Sequence, residues 1–411
     1  MSQSLEVKFM TELFKIQGYS VKDINFDSFK RRILIDIEKA DISNCPSCLF
    51  PHNRYDSTLQ DILVGVVLGR PVYVRLKVYR IECPVCGILT EEQTISEGKK
   101  RYSKSMGFEV IRYTEFLDTQ AVSKLLGLSQ STVYRIDRDI LEELMGEYRE
   151  EVPSSSVISV DEVSYKKGHK YATVIINYED AHVLWLEKGR KSWDLKRDYR
   201  QFGNGVDGIK TVAIDFWAAY ERATRKVIPE AQIVFDRFHL SRILNRKLED
   251  ERRKYQNQLS DDERKMIKKQ CRWLILKRKS RLNEDNLAYL EKLKKENEPL
   301  YDLYLLKEDF LDIFQAGKNR TEAKEDILKW VEVVLSTTYK KLKQFARSVM
   351  KRLDTILNWF DVPISNAKSE GINNVIKTLL KRAYGYRDFD YFRMKTLQKC
   401  GYLMKYLPGE I

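Results

Sequence analysis

Four of the six cysteines fall in two short pairs, Cys45-Pro46-Ser47-Cys48 and Cys83-Pro84-Val85-Cys86, with 34 residues between them. Four thiolates offered by two tight turns suit a tetrahedral Zn2+, so the intervening chain has to fold back on itself. Gly87 follows the last of them and tolerates the strained turn conformation such a knuckle needs. Val72–Arg80 alternates apolar and polar residues as a strand between the knuckles would. The expectation is a zinc ribbon held by Cys45, Cys48, Cys83 and Cys86, which either contacts a nucleic acid or holds a small fold together. Cys271 and Cys400 stand alone and read as buried hydrophobes.

Lysine and arginine outnumber aspartate and glutamate by 73 to 60, a formal charge of +13. A soluble basic chain points to an anionic partner, most often a nucleic acid. Six cysteines in 411 residues do not make a secreted disulfide framework. No run of 18 apolar residues predicts a membrane span. The opening Met1–Glu6 lacks the basic-then-apolar order of a signal peptide. A cytoplasmic protein without a membrane partner is expected. With 43% hydrophobic residues the chain can bury a sizeable core, and its length suggests two or three domains.

Residues 157–235 carry short β-branched and aromatic runs: Val157–Val160, Tyr171–Asn177, His182–Leu186, Ile209–Ile214 and Gln232–Phe235. Helical stretches, Ser192–Phe202 and Phe216–Val227, separate the later ones, which predicts a mixed sheet in an α/β layer. Residues 230–298 and 300–362 lack proline and are dense in Lys, Glu, Leu and Arg, as long helices are. Val152-Pro153-Ser154-Ser155-Ser156 reads as a linker. The predicted organisation is a zinc-ribbon module over 1–100, a helical module over 101–152 and a large domain over 153–411.

Within the helical module, Val122, Leu125 and Leu126 predict one apolar helix face, and Gly127 permits a turn. Ser129 caps a second helix in which Val133 and Ile136 face inward. Gln130, Ser131, Thr132 and Arg135 then occupy the exposed N-terminal half, where a helix-turn-helix makes its major-groove contacts.

Asp161 closes the first predicted strand of the large domain and Asp215 the fourth. A three-strand meander, a helix and a fourth strand allow the first and fourth strands to pair at the sheet centre. Two aspartates brought together there are costly without cations. Alternation should aim Glu162 at the opposite face. Downstream, Asn366, Glu370, Asn373 and Lys377 fall along one helix face, with Ser365 as its cap. Such a stripe beside two aspartates can hold Mg2+, or Mn2+ in its place, and phosphate. Asp236, closing the fifth strand, is the alternative second acid; Asp215 is preferred because its strand neighbours the first. Asp236 and His239 then orient the site, unless His239 is simply a buried, satisfied histidine.

These motifs together resemble the DDE insertion-sequence transposases of the IS-L-three family over nearly the whole chain. The resemblance rests on the CPxC knuckles, the helix-turn-helix, Val160-Asp161-Glu162, Lys167-Gly168-His169-Lys170-Tyr171, Gly189-Arg190 and Asp236-Arg237-Phe238-His239. It continues through Arg272-Trp273-Leu274, Asn366, Glu370-Gly371, Asn373-Asn374 and Ala383-Tyr384-Gly385-Tyr386. It implies a multidomain α+β protein with a ribonuclease-H-like core, interrupted by an all-α insertion at about 240–360. It also implies Mg2+ dependence with Asp161, Asp215 and Glu370 as the catalytic acids. Terminal inverted repeats and target DNA would be its partners. Asp236 and His239 match an accessory acidic-x-x-His motif of related transposases.

Arg264–Arg281 contains nine basic residues and no acidic one, so Lys268, Lys269, Arg272, Lys277 and Arg278 are candidate phosphate contacts. Bringing two DNA ends together calls for a homodimer or larger assembly. Two other readings fit parts of the pattern: a catalytically silent DNA-binding regulator and a structure-specific metal-dependent nuclease.

Overall fold

The computed structural model describes residues 14–408 except 15, 17, 40–43, 201–205, 262–263, 265–269, 316 and 365–366, together with the backbone alone at 270 and 272–273. The chain forms two compact units, one of residues 1–151 with 381–411 and one of residues 152–380. It is a mixed α+β protein with one five-stranded sheet in each unit. No helix among the described residues is long and apolar enough to cross a membrane.

Among the described residues, the first unit holds β1 (Tyr19–Asp27), β2 (Arg32–Lys39), β3 (Arg54–Val67), β4 (Arg70–Cys83) and β5 (Gly87–Thr90). Their order is β1-β2-β4-β3, with β5 pairing the last residues of β4, Arg80–Cys83. Val72, Val74, Leu76 and Val78 alternate along β4 and are all buried, so one face of the sheet supplies the core with Ile35 and Ile62. On the same sheet Asp61 joins Arg75 at 2.7 Å and Arg32 at 3.0 Å. This sheet is larger than a ribbon strand between two knuckles.

Three helices follow: α1 (Lys104–Phe116), α2 (Thr119–Leu126) and α3 (Gln130–Glu150). Asp118 caps α2, and Ser129 caps α3 by accepting from the Thr132 amide at 3.1 Å. Gly127 ends α2 at φ 65°, and a Cβ there would lie 2.3 Å from the Gly69 carbonyl oxygen. Conformation and space both demand glycine. Val122, Leu126, Val133 and Ile136 are buried, but Leu125 is 49% exposed. The buried stripe of α2 runs through Val122, Ser123 and Leu126. At about 100° per residue, Leu125 falls on its outer edge.

The second unit holds β6 (Val157–Lys166), β7 (Lys170–Asn177), β8 (His182–Lys188), α4 (Ser192–Arg200), β9 (Thr211–Ile214), α5 (Ala218–Val227) and β10 (Gln232–Phe235). The order is β10-β9-β6-β7-β8. β6, β7 and β8 form an antiparallel meander, while β9 and β10 run parallel to β6. The first and fourth strands therefore pair at the sheet centre, and β6, β9 and β10 point the same way. α4 and α5 pack together, with the buried Tyr199 and Thr224 hydroxyls 3.0 Å apart.

A helical region follows: α6 (Arg237–Gln256), α7 (Gln270–Leu276), α8 (Glu284–Glu296), α9 (Glu298–Ile313), α10 (Arg320–Ser336), α11 (Lys340–Met350) and α12 (Leu353–Asp361). Phe310 joins α9 to Trp330 of α10 and Phe345 of α11 with ring centroids 4.7 and 5.4 Å apart. α12 returns the chain to the sheet, where the Asn358 amide donates to the Ile233 carbonyl at 2.8 Å. α13 (Ala367–Arg382) then runs alongside β6, with Ser369 on Ser159 and Asn373 on Asp161. The buried Ser159 and Ser369 hydroxyls meet at 2.7 Å, and Lys368 donates to the Tyr178 carbonyl at 2.7 Å.

α14 (Phe389–Cys400) does not stay with that unit, although residues 153–411 read as one domain in the sequence. It packs on α1 and α3. Lys395 meets the fully buried Asp137 of α3 at 3.3 Å and donates to the Thr114 carbonyl at 2.7 Å. The Tyr391 and Thr114 hydroxyls also donate to Asp137, and Gln398 donates to the Ile111 carbonyl at 2.8 Å. A carboxylate buried in α3 requires such partners, and α14 supplies two of them.

Candidate active site

Parallel strands bring their C-terminal ends to one edge of a sheet, where α/β proteins place their ligands. Asp161 does not close its strand, since β6 runs on to Lys166; it lies mid-strand, one residue past the Val160–Ile214 pair where β9 stops, while Asp215 follows β9 and Asp236 follows β10. All three line one cleft of about 470 Å3, together with Glu162, Tyr171, His239, Arg242, Glu370, Asn373 and Lys377. α13 contributes the last three of these, and its polar stripe faces the aspartates. Ser365 and Asn366 lie outside the described residues.

The acids are held differently. Asp161 accepts from the Glu162 amide at 2.7 Å and from the Asn373 side-chain amide at 2.7 Å. Burial, then the charges of Asp215, Glu162 and Asp236, push its carboxyl up to about 6. Asp215 lies 2.6 Å from His239 Nδ1 and 3.7 Å from the Arg242 guanidinium. Arg242 Nη2 also stands 2.7 Å from the same Nδ1. A ring nitrogen offers a proton or a lone pair, not both, so only one approach is a hydrogen bond. A carboxylate neighbour favours the proton on Nδ1 and leaves Nε2 as the acceptor.

Asp236 has another task. Its two oxygens accept from the Phe238 and His239 amides at 3.2 and 3.0 Å, which caps α6. The His239 side chain thus reaches Asp215, while its backbone is fixed by Asp236. Glu370 sits exposed in the first turn of α13. Among the described residues, no trio of acids brings its oxygens within 4.8 Å.

Glu162 was expected on the opposite face, yet it lines the same cleft. β9 pairs β6 only through Val160, so beyond that point one side of β6 is open. Tyr171 and Arg242 also line the cleft without having been singled out as site residues. For Tyr171 the signal was present in the Lys167–Tyr171 motif; for Arg242 no spacing rule marked it.

The donor set suits a divalent cation. Carboxylates and an amide supply hard oxygen ligands. Asn373 Oδ1 is buried with no hydrogen-bond partner among the described residues, and an oxygen in that state calls for a donor or an ion.

In the first unit, the sulfurs of Cys45, Cys48, Cys83 and Cys86 all lie within 4.8 Å of one another, an arrangement that could hold zinc. Backbone amides of Cys48 and Ser47 lower the Cys45 thiol to about 7. His52 Nε2 approaches Cys48 Sγ at 3.7 Å, a neighbour the spacing of the cysteines did not reveal.

Gln130, Ser131 and Arg135 are exposed on α3 and Thr132 is half-buried there. In the helical region Lys277 is exposed, whereas Arg278 is paired with Asp312 at 2.8 Å and Glu308 at 3.4 Å. Lys268 and Lys269 lie outside the described residues, as does the Arg272 side chain.

The chain is 28% identical over 398 residues to the transposase for insertion sequence element IS1001 of Bordetella parapertussis, covering 95% of this chain and 97% of that protein. It is 23% identical over 253 residues to the transposase for insertion sequence element IS1557 of Mycobacterium tuberculosis, 56% of either chain. A solved structure, the Drosophila P element transposase strand transfer complex, aligns with TM-score 0.38 and 8% identity over 76% of this chain and 92% of that one. The ISL3-type DDE family model, described as "Transposase", matches residues 158–396, from β6 to α14. A match over more than half the chain, containing every acid of the cleft, means that this protein belongs to the IS-L-three family of DDE transposases.

Proposed function

We propose that the protein binds the terminal inverted repeats of an insertion sequence, cuts phosphodiester bonds there and joins the 3′ ends to target DNA. Membership of the family implies an enzyme that cleaves nucleic acid with a divalent metal. The observation that carries the finer reading is the convergence of Asp161, Asp215 and Glu370, from three separate elements, on one cleft. The parallel β6–β9 pair and the sheet order support a ribonuclease-H-like core.

The chemistry supplied by two bound Mg2+ ions, or Mn2+ in their place, would be activation of a water or a 3′-hydroxyl and neutralisation of charge on the leaving oxygen. Asp161, Asp215 and Glu370 would hold them. Asn373 fixes the Asp161 carboxylate, and His239 fixes that of Asp215. Asp236 sets the start of α6 and thereby the place of His239. Lys377, at the cleft wall, supplies charge for a phosphate.

In the first unit Gln130, Ser131, Thr132 and Arg135 would read base edges, with Zn2+ on the four cysteines holding the adjoining knuckles. Of the basic helical segment, Lys277 is better placed than Arg278 to meet a phosphate, because Arg278 already has two carboxylates. Synapsis of two ends calls for a homodimer or larger assembly.

The test is Mg2+-dependent cleavage of a labelled terminal repeat by wild type, Asp161→Asn, Asp215→Asn and Glu370→Gln. Each variant should bind the DNA and fail to cut it. Wild-type binding without cleavage would instead make the protein a silent regulator. Cutting without joining of pre-cleaved ends would make it a nuclease.

A further inference from the structure

The Lys167–Tyr171 and Gly189-Arg190 motifs meet in space beside the acid cleft, yet neither is used by the acids. The Arg190 guanidinium lies over the Tyr171 ring, 4.2 Å from its centroid, and Tyr171 lines the cleft wall. The loop that carries Arg190 is pinned on both sides. The Gly189 amide donates to the Tyr171 carbonyl at 2.9 Å, and the Thr173 hydroxyl donates to the Gly189 carbonyl at 2.9 Å. Asp194, almost fully buried, accepts from the Arg190 and Lys191 amides at 3.1 and 2.9 Å. Gly189 has φ 115°, and a Cβ there would stand 2.2 Å from the Asp194 carboxylate. The fold thus excludes a side chain at 189 in order to hold the next residue in one place.

What that residue offers is an oriented cation. A guanidinium stacked on an aromatic ring keeps its N–H edges directed away from the ring, ready for a planar or tetrahedral oxyanion. The nearest carboxylate, Glu162, is 3.9 Å away, and both side chains are partly exposed at 41% and 33%. A pair of that length and exposure contributes little, so Arg190 is not there to neutralise Glu162. The cleft wall otherwise carries Asp161, Glu162, Asp215, Asp236 and Glu370 against Arg242 and Lys377. A polyanion entering between five carboxylates needs positive charge fixed at the rim.

We infer that Arg190, stacked on Tyr171 at the rim of the acid cleft, is a phosphodiester-binding residue that takes one backbone phosphate of the DNA strand entering the cleft. This rests on the nuclease reading of the cleft and adds a contact to it.

The probe is a labelled duplex carrying the terminal repeat that flanks the protein's own gene, bound in EDTA so that no strand is cut. Arg190→Gln should weaken binding roughly tenfold or more and reduce the slope of log affinity against log salt by about one. Arg190→Lys should keep the slope but bind less tightly, because an ammonium neither stacks nor forks in the same way. Tyr171→Phe should match wild type, and Tyr171→Leu should weaken binding while keeping the slope.

Single methylphosphonates placed along the cut strand supply a second readout. At one position the neutral linkage should weaken wild type and leave Arg190→Gln unchanged. A merely structural role would produce no such position. An unaltered salt slope in Arg190→Gln, or the absence of any equalising linkage, overturns the inference. If wild type cuts the same duplex in Mg2+ under either of those outcomes, the nuclease reading survives and Arg190 alone is wrong. If wild type does not cut, both fall together.

Discussion

Asp236 lines the acid cleft and caps α6, and a substitution separates those two roles. Its oxygens accept from the Phe238 and His239 amides at 3.2 and 3.0 Å, and the residue is 6% exposed. Removing an N-cap carboxylate costs about 1 kcal/mol in lost capping bonds, within a range of about 0.5–2. Loss of negative charge at the helix N-terminus adds about 0.3–1 kcal/mol. Relief of repulsion with Asp161 offsets part of this, since Asp236 is one of the charges that raise the Asp161 carboxyl. The net for Asp236→Ala is about 1–2 kcal/mol. The second unit runs from residue 152 to 380, which makes 229 residues. In a unit of that size the loss lowers Tm by roughly 2–8 °C. Asp236→Asn retains a capping oxygen and should lose less than half of that. Thermal melts and Mg2+-dependent cleavage of the same samples give the answer. Asp236→Asn should cut within a few-fold of wild type, whereas Asp215→Asn should melt normally and not cut. An Asp236→Asn protein that melts like wild type yet fails to cut would refute the argument and make Asp236 the second acid.

Two further outcomes follow from buried charge. The Asp161 carboxyl lies above its ordinary value at about 6, so ionising it disfavours the metal-free fold, and stability falls as pH rises from about 4 to 6. In EDTA, Asp161→Asn should therefore be more stable than wild type by about 2–3 kcal/mol at pH 8, with the gap closing by pH 4; a gap that does not change with pH sinks this account. In the first unit, Lys395→Met leaves Asp137 buried without its cation and should cost about 3–5 kcal/mol in urea unfolding. The double variant Asp137→Asn with Lys395→Met should recover most of that loss, and additive losses would show the two residues to be independent.

The second unit was legible in outline because its signals are local and short. Three β-branched runs without an intervening helix imply a meander, and the pairing of β6 with β9 follows from returning the chain after α4. The Glu370, Asn373 and Lys377 part of the polar stripe was readable from helical spacing alone, and Asn366 lies outside the described residues. Several other features were not, for separate reasons. Glu162 obeys strand alternation, but alternation says nothing about where a neighbouring strand stops, and β9 stops at Ile214. Leu125 is apolar without being inward, because an eight-residue helix can turn its stripe by one position. The partner of His239 proved to be Asp215 through its ring and Asp236 only through its backbone, a distinction no spacing encodes. The enclosure of α14 is written in its composition. Phe389, Tyr391, Phe392, Met394 and Leu397 leave it no polar face, as in a helix enclosed on all sides.

The return of α14 to the first unit has a consequence for the order in which the protein is made. Domains ordinarily fold as they leave the ribosome, N-terminal first. Here α3 leaves early with Asp137 inside it, but Tyr391 and Lys395 arrive only after all of residues 152–380 have been synthesised. Until then the interior of the helical module contains an unneutralised carboxylate and an uncovered apolar surface around Tyr148, which later meets Tyr406 at 5.7 Å between ring centroids. The unit that begins first is completed last, so its helices gain their final support only once the whole acid-bearing unit exists.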